Sequence, residues 1–247
     1  MCNRFVWVSK VDGIEQVLRA DYRDGFTPNY NIHPGSYAYV ITDSDPKSIV
    51  KLRWGFVPHW FKRWPAYAVN FNASVNGIVK NPLYRSSIRS QRCLVLANCY
   101  YIWINNNGVH QPYLIYARNE HLITFAGIWS VWKDMEGNTI PTFAILTKPA
   151  GSRLDSLMKS MPVVIPAEYR RKYLSKDLPL RSVINMINAR DEYEYNAYPV
   201  SHRINDQSAN DKQLIQPVGP RLFQEFRGIF SKRLKNPNAL PGRSRFK

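Results

Sequence analysis

The sequence of 247 residues carries 34 Lys and Arg against 18 Asp and Glu, a formal net charge of +16 that favours a polyanionic partner, above all nucleic acid. Its 45% apolar content suffices for a buried core, and its three cysteines, with no Cys-x-x-Cys spacing, exclude a disulfide framework and a zinc site. No apolar run approaches the about 20 residues of a membrane span and no leader pattern is present, so we expect a cytoplasmic chain without membrane, metal or cofactor.

Strands are predicted through the first two thirds of the chain, because its apolar runs are rich in β-branched and aromatic residues. Turn residues bound most of these runs, as in Asn-Asn-Asn-Gly at 105–108. The predicted strands lie at 4–8, 37–43, 50–57, 93–103, 112–117, 122–132 and 142–147.

Helices are predicted mainly in the last third, where a weaker period of 3.6 residues marks 152–160, 167–174 and 181–190; one further candidate lies at 13–22. Strands followed by helices predict an α+β fold, with a β-rich mixed sheet or open barrel flanked by helices in a single domain. That domain is expected to span 1–218.

Residues 219–247 are predicted to form a basic, partly flexible extension. They hold eight basic side chains and one acidic one, so the preceding residues keep about +9 of the charge. Aromatic residues make up 13% of the chain, and rings such as Trp60 and Trp64 are interleaved with arginines. Exposed rings would favour single-stranded nucleic acid, whose bases stack on them, although core packing explains most rings equally well.

No Gly-rich phosphate loop, Ser-His-Asp spacing or metal cluster is present, and by exclusion the N-terminus is the candidate reactive site. Removal of Met1 would leave Cys2 with an α-amine and a thiol on one residue. The amine titrates near about 7.7 to 8.0 and the thiol near about 8.5, so part of the amine is neutral at neutral pH. Such a pair forms an imine with an aldehyde and closes it into a thiazolidine. Taken alone, Cys2 is equally well explained as a residue tolerated beside the start.

Several segments together resemble the SRAP family (SOS-response-associated peptidase, abasic-site processing proteins). They occur in the family's order and with similar spacing, and the resemblance covers roughly residues 2 to 218. The segments are CNRF at 2–5, YNIHP at 30–34, WGFVPHW at 54–60, NASVNG at 72–77, QRCLVLANCYYIW at 91–103, FAGIWSVW at 125–132, FAILTKPAG at 143–151, SMPVVIP at 160–166 and YPVSHRIN at 198–205.

The resemblance implies a protein that binds single-stranded DNA containing an abasic site and joins Cys2 to the opened sugar through a thiazolidine. Asn72 matches the family's active-site asparagine, which would hydrogen-bond that sugar, and Arg4 matches a phosphate-binding arginine. The family also carries a peptidase label, associated with exposing the cysteine. We expect a monomer. Further positions that match expected DNA-binding positions are Trp54, Gly55, Pro58, Thr147, Met161 and Pro162.

Four positions depart from the family pattern. Ile102 replaces a glutamate and Met158 replaces a histidine, so two proton-transfer groups are absent. Ser74 and Ser160 replace arginines that would contact phosphate. General acid–base groups contribute typically about 10² to 10⁴ in rate, so we expect slower crosslinking.

Other interpretations remain open at this level. Asp155 or His33 could stand in for the missing proton donor, although a solvated aspartate and a packed histidine are simpler explanations. The chain could also be a degenerate relative that binds single-stranded or damaged DNA without a covalent bond, or an RNA-binding protein. A cysteine peptidase acting on other proteins ranks last, because no base or oxyanion-binding group is recognisable beside Cys2.

Overall fold

A computed structural model describes the fold over most of the chain. Within the described residues it contains thirteen strands, three short α-helices and helical backbone at Gln16 and Leu18. The described residues are 2–9, 16, 18–23, 25–65, 70–118, 120–151, 154–190 and 193–223. The predicted extension therefore lies, from residue 224 onward, outside the described residues.

Eight of the thirteen strands, numbered in chain order, lie in the predicted apolar runs, and five strands of two to five residues were not predicted. Each β-branched or aromatic run pairs along its length with a neighbour, and most of its side chains are buried. The strands are β1 Phe5–Trp7, β2 Asp21–Tyr22, β3 Asn29–Ile32, β4 Tyr37–Thr42, β5 Ser48–Trp54, β6 Asn72–Ser74, β7 Arg92–Ala97, β8 Cys99–Asn106, β9 Val109–Ala117, β10 Ile123–Lys133, β11 Thr139–Pro149, β12 Ser160–Pro162 and β13 Tyr195–Pro199.

The strands form two sheets, one of which closes on itself. One sheet has the order β13-β9-β8-β1-β3, and the other has the order β12-β11-β10-β7-β4-β5-β2, with β6 also paired to β11. Parallel pairing of β11 with β5, Thr142 opposite Arg53 and Phe143 opposite Trp54, joins the two ends of β5-β4-β7-β10-β11 into a five-stranded barrel. The predicted α+β fold with a β-rich mixed sheet or barrel is confirmed.

Three short helices lie against the sheets, two of them in the last third of the chain. They are α1 Ser87–Ser90, α2 Arg170–Leu174 and α3 Leu180–Asn188, with 3₁₀ turns at Ala167–Tyr169, His202–Asn205 and Lys212–Ile215. The predictions at 167–174 and 181–190 are confirmed within a residue or two. No helix in the described part of the chain is long and apolar enough to cross a membrane.

One helix prediction is wrong where the structure describes it, and another is confirmed only in part. In the 152–160 segment, Leu154 to Leu157 form only short turns, and Ser160 pairs with Pro149 as the start of β12. In the 13–22 segment, Gln16 and Leu18 are helical as predicted, whereas Asp21 and Tyr22 form β2 against β5. In both places, pairing with the edge of a neighbouring strand satisfies the backbone hydrogen bonds. The spacing of apolar residues in the segment itself does not predict such pairing.

The main core lies inside the barrel and under β1. Trp54 stacks on Phe143 with ring centroids 6.3 Å apart, and Phe5 meets the edge of Trp54 at 5.1 Å. All three rings are fully buried. This packing fixes β1 against the barrel and so determines where the residues that precede β1 lie.

Candidate active site

Cys2 lies just before β1, where the five-stranded sheet meets the barrel. β1 pairs antiparallel with β8 on one side and β3 on the other, and the Tyr101 N–H extends the pairing by donating to the Arg4 carbonyl at 2.9 Å. Cys2 is 1% exposed, and its thiol lies 3.9 Å from the same Arg4 carbonyl. The start of the chain is therefore held in a defined place.

Asn72 reaches this position from a different part of the chain. It begins β6, which runs parallel to β11 with Asn72 opposite Ile145. Its Nδ2 donates to the Cys2 carbonyl oxygen at 2.6 Å. Its Oδ1 is buried and has no hydrogen-bond partner within the described residues. The structure thus brings together the two residues predicted to be catalytic and leaves one buried acceptor beside Cys2.

The ionisation of Cys2 follows from its burial. Loss of hydration raises the pKa of the Cys2 thiol to about 12, so the thiol is neutral at physiological pH. With Met1 attached, the Cys2 nitrogen is an amide and not a nucleophile. The other two cysteines, Cys93 and Cys99, are also buried thiols with raised pKa values. Across the residues that the structure describes, no group of three side chains could hold a metal ion.

Arg4 is buried beside Cys2 and has a protein partner. Its guanidinium donates to Asn31 Oδ1 at 3.1 Å, and Asn31 in turn donates to the carbonyls of Asp206 and Ala209 at 2.8 and 2.9 Å. Burial lowers the pKa of Arg4, while nearby Tyr101 acts in the opposite direction. This network ties β1 and β3 to the chain near 206–209. A phosphate contact by Arg4 stays a prediction.

The segment 54–60 stabilises the chain next to Asn72. Trp54 is buried and its indole N–H donates to the Phe71 carbonyl at 2.8 Å, which fixes the residue preceding Asn72. Gly55 has a φ of 137°, where a side chain would be strained, and its N–H donates to the Phe143 carbonyl at 2.9 Å. Pro58 is buried as well. Trp60 is the exposed indole of the segment, at 51% exposure.

The remaining matched positions lie on three neighbouring strands. In the register of β6, β11 and β12, Thr147 is opposite both Ser74 and Pro162. The next pair is Lys148 with Met161, followed by Pro149 with Ser160. Thr147, Met161 and Pro162 are largely buried, whereas Ser74 is exposed. The cation among these strands is Lys148, which our sequence analysis missed although it directly follows Thr147.

The substituted positions offer no proton-transfer group. Ile102 is 5% exposed and belongs to the same apolar core as Cys2, and Met158 packs against that core. The two suggested substitutes bond within their own turns: His33 Nδ1 lies 2.9 Å from the Pro34 carbonyl, and exposed Asp155 accepts from the Ser156 N–H at 2.8 Å. Neither of these hydrogen bonds involves Cys2 or Asn72.

The sequence is similar to a known protein family and to individual members of known function. Residues 1–207 match the family model described as SOS response associated peptidase (SRAP). The chain is 27% identical over 222 residues to abasic site processing protein YoqW of Bacillus subtilis (strain 168), covering 87% of this chain and 99% of that protein. It is 25% identical over 245 residues to abasic site processing protein HMCES of Xenopus tropicalis, covering 82% and 72%.

The fold also has a close structural match. A crystal structure of a protein from Bacteroides thetaiotaomicron superposes with a TM-score of 0.79 at 22% identity, covering 87% of this chain and 99% of that one.

Proposed function

The chain belongs to the SRAP family, and from that premise we propose that it processes abasic sites in DNA through a covalent bond to Cys2. The observation that carries the proposal is the hydrogen bond of 2.6 Å from Asn72 to the Cys2 carbonyl, with the other Asn72 amide atom buried and unpartnered. A buried acceptor without a partner costs about 1 to 3 kcal/mol, so such an atom indicates a position for a ligand donor. An opened sugar carries hydroxyl groups that could donate to it.

The proposed reaction requires removal of Met1, which converts the Cys2 nitrogen into an amine. That amine attacks the aldehyde carbon of the ring-opened abasic site, and the aldehyde oxygen leaves as water to give an imine. The thiol then adds to the imine carbon, so that a C–S bond forms and the thiol proton passes to the nitrogen. The product is a thiazolidine that joins protein and DNA with the loss of one water.

Asn72 is proposed to hold both partners of this reaction. Its Nδ2 fixes the backbone of Cys2, and therefore the direction in which the new amine points. Its Oδ1 would accept from a sugar hydroxyl and keep the aldehyde carbon near the nitrogen. Alignment of two reacting groups in this way removes much of the entropy cost of their meeting.

The rate is proposed to be reduced, because buried Ile102 and half-buried Met158 stand at the two proton-transfer positions. Addition of an amine to an aldehyde and loss of water both move protons, and without a positioned acid or base these steps depend on water. The apolar Ile102 would partly compensate by disfavouring the ammonium form of a nearby amine. We expect crosslinking slower by about 10² or more than with both groups present.

Single-stranded DNA is the proposed form of the substrate. The formal charge of +16 favours a polyanion, and Trp60 exposes half of an indole ring that contacts Phe61 edge-on at 4.8 Å. Bases stack on such rings only when they are not already stacked in a duplex.

The test is to mix the mature protein with single-stranded DNA containing one abasic site and to separate the products on a denaturing gel. Undamaged DNA of the same sequence and an abasic duplex are the comparison substrates. We expect a heat-stable adduct with the abasic single strand, and none with undamaged DNA. No adduct despite a verified Cys2 terminus, together with binding that denaturation reverses, would instead indicate a non-covalent DNA-binding protein.

A further inference from the structure

A cavity opens directly beside the strands of the proposed site. It has a volume of about 210 Å³ and is lined by Lys148, Met161, Asn188, Arg190 and Tyr195, among others. Lys148 and Met161 are the paired residues of β11 and β12. Lys148 also donates to the Ala189 carbonyl at 2.7 Å, which ties β11 to the end of helix α3.

A second and larger cavity adjoins the first. It has a volume of about 410 Å³, and it shares Ala189 and Arg190 with the smaller cavity. Its lining also includes Lys172 and Tyr169, which is 44% exposed. The two cavities therefore form one surface trough, here named the Arg190 trough, with a basic residue at the start, in the middle and at the end.

The trough begins close to Asn72. Ser74, two residues after Asn72, is opposite Thr147, and Lys148 is the next residue. Strands lie about 4.8 Å apart and rise about 3.3 Å per residue, so the Cα atoms of Asn72 and Lys148 are roughly 11 Å apart. DNA bound with its abasic site at Asn72 would place its flanking nucleotides at the mouth of the trough.

The charge of the trough fits a phosphodiester backbone. In the described part of the chain, the ion pairs are Arg23–Asp45, Arg118–Glu194 and Arg203–Asp211, so no ion pair there neutralises Arg190 or Lys172. Among the described residues that line the trough, the carboxylate is that of Glu168. Glu168 also acts on the buried Arg170: burial lowers the pKa of that guanidinium, and Tyr193, Glu120 and Glu168 oppose the decrease.

We propose that the Arg190 trough binds the DNA nucleotides that flank the abasic site on one side, an inference that rests on the proposed function. Lys148, Arg190 and Lys172 contact successive phosphates, and the Tyr169 ring receives an unstacked base. Side chains alternate along β11, so Lys148 lies on the sheet face opposite to Thr147 and its partner Ser74. The trough is therefore separate from Ser74 and Ser160, where the sequence lacks two expected phosphate-binding arginines.

The test measures equilibrium binding of oligonucleotides that carry a non-reactive tetrahydrofuran abasic analogue, so that the chemistry plays no part. Three oligonucleotides are compared: a short one, one extended on the 5′ side and one extended on the 3′ side. The variants are Arg190→Glu and Lys172→Glu. The matched control is Arg181→Glu, an exposed arginine of helix α3 that does not line the trough.

Both trough variants are expected to lower affinity about tenfold for one of the two extended oligonucleotides and to leave the short one unchanged. The slope of log K against log salt for that oligonucleotide should become shallower by about 0.7 for each phosphate that the variant no longer neutralises. Tyr169→Ala should weaken binding of the same oligonucleotide only when its flanking nucleotides carry bases. Equal effects of Arg181→Glu and Arg190→Glu, or an effect equal for short and extended DNA, would overturn the proposal.

Failure of this inference is distinguishable from failure of the proposed function. Arg190→Glu should still form the covalent adduct with a short reactive abasic oligonucleotide at the rate of the native protein. If native protein forms no adduct, the proposed function fails whatever the trough binds. If the adduct forms but Arg190→Glu binds both extended oligonucleotides as tightly as native protein does, only the trough assignment fails.

Discussion

Replacement of Asn72 by alanine removes a side-chain hydrogen bond that holds the Cys2 carbonyl in place. The interaction removed is the hydrogen bond of 2.6 Å from Nδ2 to that carbonyl, together with the unpartnered Oδ1 proposed to accept from the sugar. Loss of a partner from a buried polar group costs about 1 to 3 kcal/mol. If the same free energy is lost from the transition state of the crosslinking reaction, the rate decreases by roughly 5- to 150-fold.

The assay is the single-turnover rate of appearance of the heat-stable adduct, measured with protein in excess over abasic single-stranded DNA. Thermal unfolding of each variant shows whether it remains folded. The matched control is Asn76→Ala, which makes the same chemical change at an exposed residue four positions later. A folded Asn72→Ala protein that reacts as fast as Asn76→Ala would refute the role assigned to Asn72.

Three further outcomes follow from the site. Cys2→Ala should abolish the heat-stable adduct while borohydride still traps an imine, since the terminal amine remains; a persistent adduct without reductant would place the nucleophile elsewhere. Ile102→Glu should raise the crosslinking rate at least about tenfold and lower Tm, because it restores a carboxylate at a buried position; an unchanged rate in folded protein would contradict the account of slow chemistry. Burial raises the pKa of the Cys2 thiol to about 12, above the unfolded value of about 8.5, so its stabilising contribution is complete below about pH 8.5 and is lost as pH rises toward 12. Tm should therefore fall less between about pH 8.5 and 11 in Cys2→Ala than in native protein; parallel decreases would contradict this burial effect.

Much of the fold could be predicted from local patterns. Runs such as 112–117 and 122–132 became β9 and β10, because β-branched and aromatic side chains fit a pleated, buried surface. The run 93–103 did not remain one strand: it divides at Asn98, where the chain leaves the barrel for the other sheet. The Asn98 side chain accepts from the Val8 N–H at 2.7 Å and so stabilises that break. An apolar run contains no local signal for a hydrogen bond to a residue 90 positions away.

The candidate site was predictable only in part. Cys2 and Asn72, which are 70 residues apart, were placed together by resemblance to a family and not by any local pattern. Sequence patterns did not indicate that Trp54 would be buried behind Asn72 while Trp60 remained exposed. The Arg190 trough was missed for the same reason, since Lys148, Tyr169 and Arg190 meet only through the pairing of β11 with β12 and the packing of helix α3.

The central claim is most directly tested by intact mass spectrometry of the adduct formed with abasic single-stranded DNA, followed by mapping of the modified peptide. The account predicts a mass equal to that of the protein without Met1 plus the oligonucleotide minus one water, with the modification on Cys2. An adduct that retains Met1, a modification at another residue, or an unmodified protein after prolonged incubation would contradict it.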